Sequence, residues 1–160
     1  MTIDQLIGKF EELYKGNPWH GASMLDLLGS VPSEHFNKAV EPTSKSVAHL
    51  IEHLLAWRQF AVKKMKGDRD FDIELSSVMD WPLPNPVGDV KAYYLAELEK
   101  SQADILMLLR SKSDEWLMEP TPNKKYNNAF LMQGILEHDL YHSGQIGIFN
   151  ALLKAQNNSN

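Results

Sequence analysis

Apolar residues recur at the spacing of an amphipathic helix in four stretches of the chain, and no stretch alternates apolar and polar residues as a strand would. Serines that can cap a helix, and glycines or prolines that stop one, lie near the ends of these stretches. The predicted helices cover about residues 3–15, Ser44 or Ser46 to Lys66, Pro86 or Gly88 to Arg110, and Asn128 to Leu153.

The segments between these helices are predicted connectors. A short helical piece is expected from Met24 to about Val31, and the run from Trp81 to Pro86 contains too many prolines for a helix or a central strand. Four helices of this length joined by loops favour an all-α four-helix bundle. We expect the 160 residues to form it as a single domain, 1–160.

Composition narrows the classes of function. The formal net charge is −5 and basic residues do not cluster, so we do not expect a nucleic-acid-binding protein. The absence of cysteine excludes disulfides, thiolate metal ligands and cysteine nucleophiles. The sequence starts without a signal-peptide pattern and has no apolar run long enough to cross a membrane, so the expected location is the cytoplasm.

Three polar residues make the last predicted helix informative. On a helical wheel, His138, His142 and Gln145 fall in the apolar stripe that is expected to face the core. The solvent face would be formed by residues such as Ser143 and Lys154. Because a buried polar group without a partner costs about 1–3 kcal/mol, the three residues in the stripe need partners.

A further histidine borders the apolar stripe of the second long helix. His53 lies there beside Trp57 and can reach the bundle interior, whereas His49 is expected at the rim. The i,i+4 pair His138 and His142 brings two imidazoles to one side of its helix, about 6 Å apart along the axis, which suits chelation. The pattern predicts a three-His metal site, and hydrogen-bonded core histidines remain the alternative. No Asp or Glu falls on either inner face, so paired-carboxylate catalysis is not expected.

Two segments resemble a known protein family. The run from Ser46 to Trp57, SVAHLIEHLLAW, resembles the second helix of the DinB-like superfamily. The run from Glu137 to Ile146, EHDLYHSGQI, resembles its last helix, where a His-x-x-x-His-x-Gly-Gln motif is typical. The turn Pro18-Trp19-His20-Gly21 is similar to one in a branch of that superfamily, so the resemblance covers most of the chain.

The resemblance implies a four-helix bundle with one long crossover connection and one divalent metal ion, often zinc or nickel. The implied ligands are His53, His138 and His142, and a four-imidazole site that also uses His49 is an alternative. Members of the superfamily include thiol-dependent S-transferases, which implies a small-molecule substrate and a low-molecular-weight thiol. Metal-assisted hydrolysis is the related hypothesis. A non-catalytic bundle that binds metal, or uses its histidines only structurally, is the alternative from another class.

Other residues are candidates around such a site. Gln145 can donate a hydrogen bond to a ligand or a substrate, and His20 can reach the mouth of a pocket. Trp81 can form a lid, although capping the core is the more ordinary role. Asp139 is expected in a solvent-exposed salt bridge, with the orientation of an imidazole as the alternative, and His35 is expected to face solvent.

Two glycines inside the last predicted helix suggest a subunit contact. Gly144 and Gly147 each cost about 1 kcal/mol relative to alanine in a helix interior. Glycine beside the candidate site allows close approach of another helix or of a second subunit. We therefore expect a homodimer.

Overall fold

The structure is a computed structural model that describes residues 1–158. Within this range the chain is helical and forms no β-sheet, which confirms the predicted all-α class. No helix among the described residues has the length and hydropathy that a membrane crossing requires. Two short 3-10 helices, Ser33–His35 and Asp114–Met118, lie in the connectors. The α-helices are α1 (Ile3–Lys15), α2 (Met24–Gly29), α3 (Val47–Met65), α4 (Val90–Arg110) and α5 (Asn128–Asn158).

Side-chain caps decide where the helices begin. Ser46 caps α3 and forms a reciprocal capping box with His49, which selects the later of the two predicted starts. The side chain of Asp89 caps α4 by accepting from the backbone of Ala92, so this helix begins after the predicted Pro86 or Gly88. Val87, which a start at Pro86 would place inside this helix, therefore lies outside it and is 80% exposed.

The long helices form a bundle in which α3 and α1 each pack against both α4 and α5. Glu52 of α3 accepts a hydrogen bond from Tyr94 of α4, and Arg58 donates one to Gln102 further along both helices. From the first of these contacts to the second, the residue number increases along both helices, so α3 and α4 run parallel. The connection over 66–89 therefore returns along the bundle, which is the expected long crossover.

The buried apolar residues form two clusters, one toward each end of the bundle. The first contains residues such as Phe10, Ala61 and Ile105, and the second contains residues such as Leu54 and Leu98. Between them the helices carry buried polar side chains, namely Arg58 of α3, Gln102 of α4 and Asp139 of α5. The core is thus two apolar halves separated by a polar layer.

The buried face of α5 is wider than the wheel predicted. Asp139 is fully buried and Ser143 is only 7% exposed, so the predictions of a solvated Asp139 and a solvent-facing Ser143 are wrong. The reason is that α5 contacts α1, α2, α3 and the second 3-10 helix. Such a helix buries more than the single stripe that an amphipathic surface helix shows. The expectation that the inner helix faces carry no carboxylate fails with Asp139.

His35 is also buried, contrary to the expectation that it faces solvent. Its side chain, 1% exposed, lies between the connector and α5. The Nδ1 atom lies 3.2 Å from Asn150 Oδ1, and Nε2 lies 3.1 Å from the side-chain nitrogen of Asn157. A neutral ring satisfies both contacts, donating from Nδ1 and accepting at Nε2. These two hydrogen bonds attach the connector to the C-terminal part of α5.

Candidate metal centre

Three histidines from two helices converge at one point of the bundle. His53 of α3 and the pair His138 and His142 of α5 each offer a ring nitrogen, and the three nitrogens lie within 4.8 Å of one another. The Nε2 atoms of His53 and His138 are 2.9 Å apart. The ring centroids of His138 and His142 are separated by 4.5 Å, as the one-turn spacing on α5 requires. The structure thus brings together the three residues that the sequence singled out.

Hydrogen bonds to the rear of two rings define their tautomers. His53 donates from Nδ1 to the backbone carbonyl of Asp80, at 2.5 Å, and His142 donates from Nδ1 to Gln145 Oε1, at 2.6 Å. Each ring therefore keeps its Nε2 lone pair free of a proton. Gln145 accepts here, whereas the sequence suggested that it would donate. Fixing the tautomer through the second ring nitrogen is the usual arrangement for histidines that bind metal.

Burial keeps two of these rings neutral. Desolvation, together with the neighbouring charge that His142 and then His53 would carry, lowers the pKa of His138 to about 3. Desolvation also lowers the pKa of His142. A lowered pKa means that the ring is unprotonated at neutral pH, and the unprotonated ring is the form that coordinates a metal.

Asp80, which the sequence pattern did not indicate, holds the crossover segment against His53. This carboxylate is 4% exposed. Its Oδ1 accepts from Trp57 Nε1 at 2.9 Å, and its Oδ2 accepts from the backbone nitrogen of Ser76 at 2.8 Å. Ser76 has a φ of 64°, a left-handed conformation that is uncommon for serine. Asp80 thus joins α3 to the crossover beside the ring of His53.

The next residue, Trp81, covers one face of His53. The two rings are parallel within 5° and their centroids lie 3.9 Å apart. Lys45 lies over the indole of Trp81, with its Nζ 4.8 Å from the centroid. Stacked in this way, Trp81 fixes the plane of the imidazole.

A pocket of about 400 Å³ opens at the histidine cluster. Trp57 belongs to its wall and contributes an aromatic ring whose centroid is 6.1 Å from that of His138. Most of the remaining wall is apolar or aromatic, and no Lys or Arg belongs to it. The lining residues are His53, Trp57, Leu75, Asp80, Trp81, His138, Tyr141, His142 and Gln145.

Two predicted candidates lie away from this pocket. The Nδ1 atom of His49 lies 2.9 Å from Ser46 Oγ, in the N-terminal cap of α3, and His49 is not part of the three-histidine group. His20 is exposed and lines a separate cavity of about 300 Å³ together with residues such as Glu137 and Leu140. The geometry therefore does not add His49 to the three-histidine group, and it does not place His20 at the mouth of the pocket.

The donor set fits a divalent ion. Imidazole nitrogens bind zinc at about 2.0–2.1 Å, so two of them on one tetrahedral ion are separated by about 3.4 Å. The 2.9 Å between the Nε2 atoms of His53 and His138, and the upper limit of 4.8 Å for the group, bracket that separation. The Nδ1 atom of His138 is buried and has no hydrogen-bond partner in the described range, so Nε2 is its only engaged nitrogen. Three imidazoles without thiolates suit zinc, nickel or copper rather than magnesium or calcium.

One of two comparisons with known proteins identifies the family of this chain. A comparison with curated proteins found no match. A family model, by contrast, matches nearly the whole chain, from residue 4 to residue 152, and this range includes all three histidines. The chain belongs to the DinB family.

Proposed function

We propose that this protein is a metal-dependent enzyme that holds one divalent ion, zinc or nickel, through His53, His138 and His142. The observation that carries the proposal is the convergence of three imidazole nitrogens within 4.8 Å at the base of an open pocket. A site that only stabilises a fold normally surrounds the ion completely with protein ligands. Three protein ligands beside a pocket leave room for a substrate instead.

The ion would supply Lewis acidity at its open position, which lowers the pKa of a water or a thiol that binds there. The residues of the chain supply the surroundings. Trp57, Trp81 and Tyr141 give the pocket an aromatic wall that can pack against the apolar part of a small molecule. Asp80 and Gln145 accept from the rear nitrogens of two histidines and keep their rings in place.

The proposed chemistry is thiol S-transfer, with hydrolysis as the second candidate. The chain has no cysteine, so a transferred sulfur must come from a low-molecular-weight thiol. In the transfer, the thiol sulfur forms a bond to an electrophilic carbon while the leaving group departs from it, and the thiol proton passes to the leaving group or to solvent. In hydrolysis, water takes the place of the thiol. A metal-binding bundle without catalysis is the alternative from another class.

Metal analysis of untagged protein tests the ligand assignment. Metal-free protein is exposed to equimolar zinc or nickel and desalted, and the metal per chain is measured for wild type, His53→Ala and His142→Ala. His20→Ala is the matched control, because it removes an exposed imidazole outside the site. We expect about one ion per chain for wild type and the control, and loss of the ion from both site variants. Equal occupancy in all four proteins would refute the assignment.

Product analysis separates the candidate reactions. The zinc-loaded protein is incubated with an activated ester or alkyl electrophile, with and without a panel of low-molecular-weight thiols, and products are identified by mass. A thiol adduct formed faster with wild type than with His142→Ala supports transfer, and a hydrolysed product formed without thiol supports hydrolysis. A fully loaded protein that accelerates neither reaction across the panel would favour the non-catalytic alternative.

A further inference from the structure

A chain of buried hydrogen bonds runs through all four long helices beside the histidine cluster. Arg58 of α3 donates to Asp139 of α5 from Nε, at 3.1 and 3.2 Å, and from Nη2, at 2.8 Å. Its Nη1 donates to Gln102 Oε1 of α4 at 3.2 Å. Gln102 in turn donates from Nε2 to the backbone carbonyl of Phe10 in α1, at 3.0 Å. The side chains of Arg58, Gln102 and Asp139, which form this hydrogen-bond network, are each at most 4% exposed.

The buried ion pair is interleaved with the three histidines. Asp139 follows His138 directly and precedes His142 by three residues, so it shares their stretch of α5. Arg58 follows His53 by five residues on α3. The contact that joins Arg58 to Asp139 is therefore made by the same two helix segments that bring His53 to the α5 pair.

Stability alone is a weak reason for such a pair. Desolvating a guanidinium and a carboxylate costs about as much as their attraction returns, and apolar replacements of similar volume are often neutral or stabilising. The apolar contacts on either side are not directional, so they specify the axial position of one helix against another less strictly than a directional contact does. A forked arginine–carboxylate contact is directional and does not tolerate a shift of one helical turn, about 5.4 Å.

We propose that Arg58, Asp139 and Gln102 are positioning residues that fix the axial register of α3 against α5 and so bring His53 to His138 and His142. The proposal rests on the metal-binding function proposed above. It assigns to the polar layer a role in metal affinity that is separate from its contribution to stability.

The double variant Arg58→Met, Asp139→Leu separates these two roles. Zinc dissociation constants are measured by competition with a chromogenic chelator, the thermal midpoint is measured for the metal-free protein, and cobalt absorption reports the coordination geometry. The apolar pair removes the cost of the two buried charges but leaves Gln102 Oε1 without its donor, so we expect a thermal midpoint close to that of wild type. We expect a zinc affinity about 10–100-fold lower than wild type, as for other residues that orient metal ligands, and an altered cobalt spectrum. Wild-type zinc affinity and cobalt spectrum in a folded double variant would overturn the proposal.

The matched control removes another arginine–carboxylate pair between helices. Arg110 of α4 lies 3.0 Å from Glu11 of α1, in a more exposed position outside the polar layer. We expect Arg110→Met, Glu11→Leu to keep wild-type zinc affinity, and an equal loss of affinity in this control would overturn the specific role of Arg58 and Asp139.

A second variant covers the case in which the double variant does not fold. Arg58→Lys retains the buried positive charge without the fork, and we expect a smaller loss of zinc affinity, with wild-type affinity again overturning the proposal. If the wild type itself bound no zinc, the proposed function would fail, an outcome distinct from failure of the register proposal.

Discussion

The carboxylate of Asp80 accepts two partly buried hydrogen bonds, and the variant Asp80→Ala would leave both donors without their partner. The donors are Trp57 Nε1, at 2.9 Å, and the backbone nitrogen of Ser76, at 2.8 Å. A hydrogen bond to a charged group contributes about 1.5–3 kcal/mol. Because Asp80 lines the open pocket, water can reach the site and replace part of this loss. We therefore take the lower value of about 1.5 kcal/mol for each of the two hydrogen bonds and expect the free energy of unfolding of the metal-free protein to fall by about 3 kcal/mol.

The same variant is expected to weaken zinc binding only moderately. His53 Nδ1 lies 2.5 Å from the backbone carbonyl of Asp80, which alanine retains, and 3.1 Å from its Oδ1, which alanine removes. The ring therefore keeps its shorter contact and loses the longer one while the crossover loosens. We expect about a tenfold loss of affinity, the lower end for residues behind a metal ligand. In thermal scans a loss of 3 kcal/mol corresponds to about 6–12 °C for a domain of this size.

A matched control comes from the same connection. Asp72 is an exposed carboxylate paired with Lys124, so Asp72→Ala is expected to cost less than about 1 kcal/mol and to leave zinc affinity unchanged. Trp57→Phe removes one of the two donors, and the double variant with Asp80→Ala is expected to be less destabilised than the sum of the single variants. If Asp80→Ala unfolded within 1 kcal/mol of wild type and bound zinc equally well, our account of this residue would be refuted.

Three further predictions concern pH, assembly and the connector. Burial lowers the pKa of His138 to about 3 and also lowers the pKa of His142. In the metal-free protein the contribution of these rings to the free energy of unfolding is therefore complete above the ordinary histidine pKa of 6.5 and is lost as the pH falls toward 3. Equal urea midpoints at pH 7.5 and pH 5 would contradict this prediction. Ile148, 60% exposed on α5, is expected to lie in a homodimer contact. Light scattering is then expected to give a dimer for wild type and the 18.2 kDa monomer for Ile148→Asp. A monomeric wild type would rule out the contact. His35→Ala is expected to lower the free energy of unfolding by about 1–3 kcal/mol, because it removes one buried and one partly buried hydrogen bond. For His20→Ala we expect a loss below about 0.5 kcal/mol, and equal urea curves for the two variants would refute the role of His35.

The sequence predicted the helices and the histidine group because both depend on local periodicity. Helical spacing of apolar residues and the caps of each helix are written in consecutive residues, and the pair His138 and His142 follows from one turn of one helix. Placing His53 beside this pair needed only the further assumption that the apolar stripes of the two helices face each other. The DinB resemblance supplied the long crossover, which the parallel arrangement of α3 and α4 confirms.

The polar layer and the crossover contacts could not be found in the same way. The predicted apolar stripe of α5 was centred near His138. The face that α5 buries in the structure is centred about 90° further round the helix, near Asp139 and Ile146, because α1 and α2 also cover it. Arg58 did carry a signal, since it lies one turn after the buried Leu54 and a charge at that position needs an opposite charge. Asp80 carried none, because a carboxylate in a proline-rich loop has no periodicity to place it.

The separation of the three imidazoles along the chain has a consequence for synthesis. His53 precedes His138 by 85 positions, and the third ring lies still nearer the C-terminus. A ribosome-bound intermediate that ends before α5 has one of the three rings, and single imidazoles hold divalent ions weakly. In the proposed metal site, capture of the ion therefore has to wait until α5 has been synthesised and has packed against α3, so coordination would follow assembly of the bundle rather than guide its first steps.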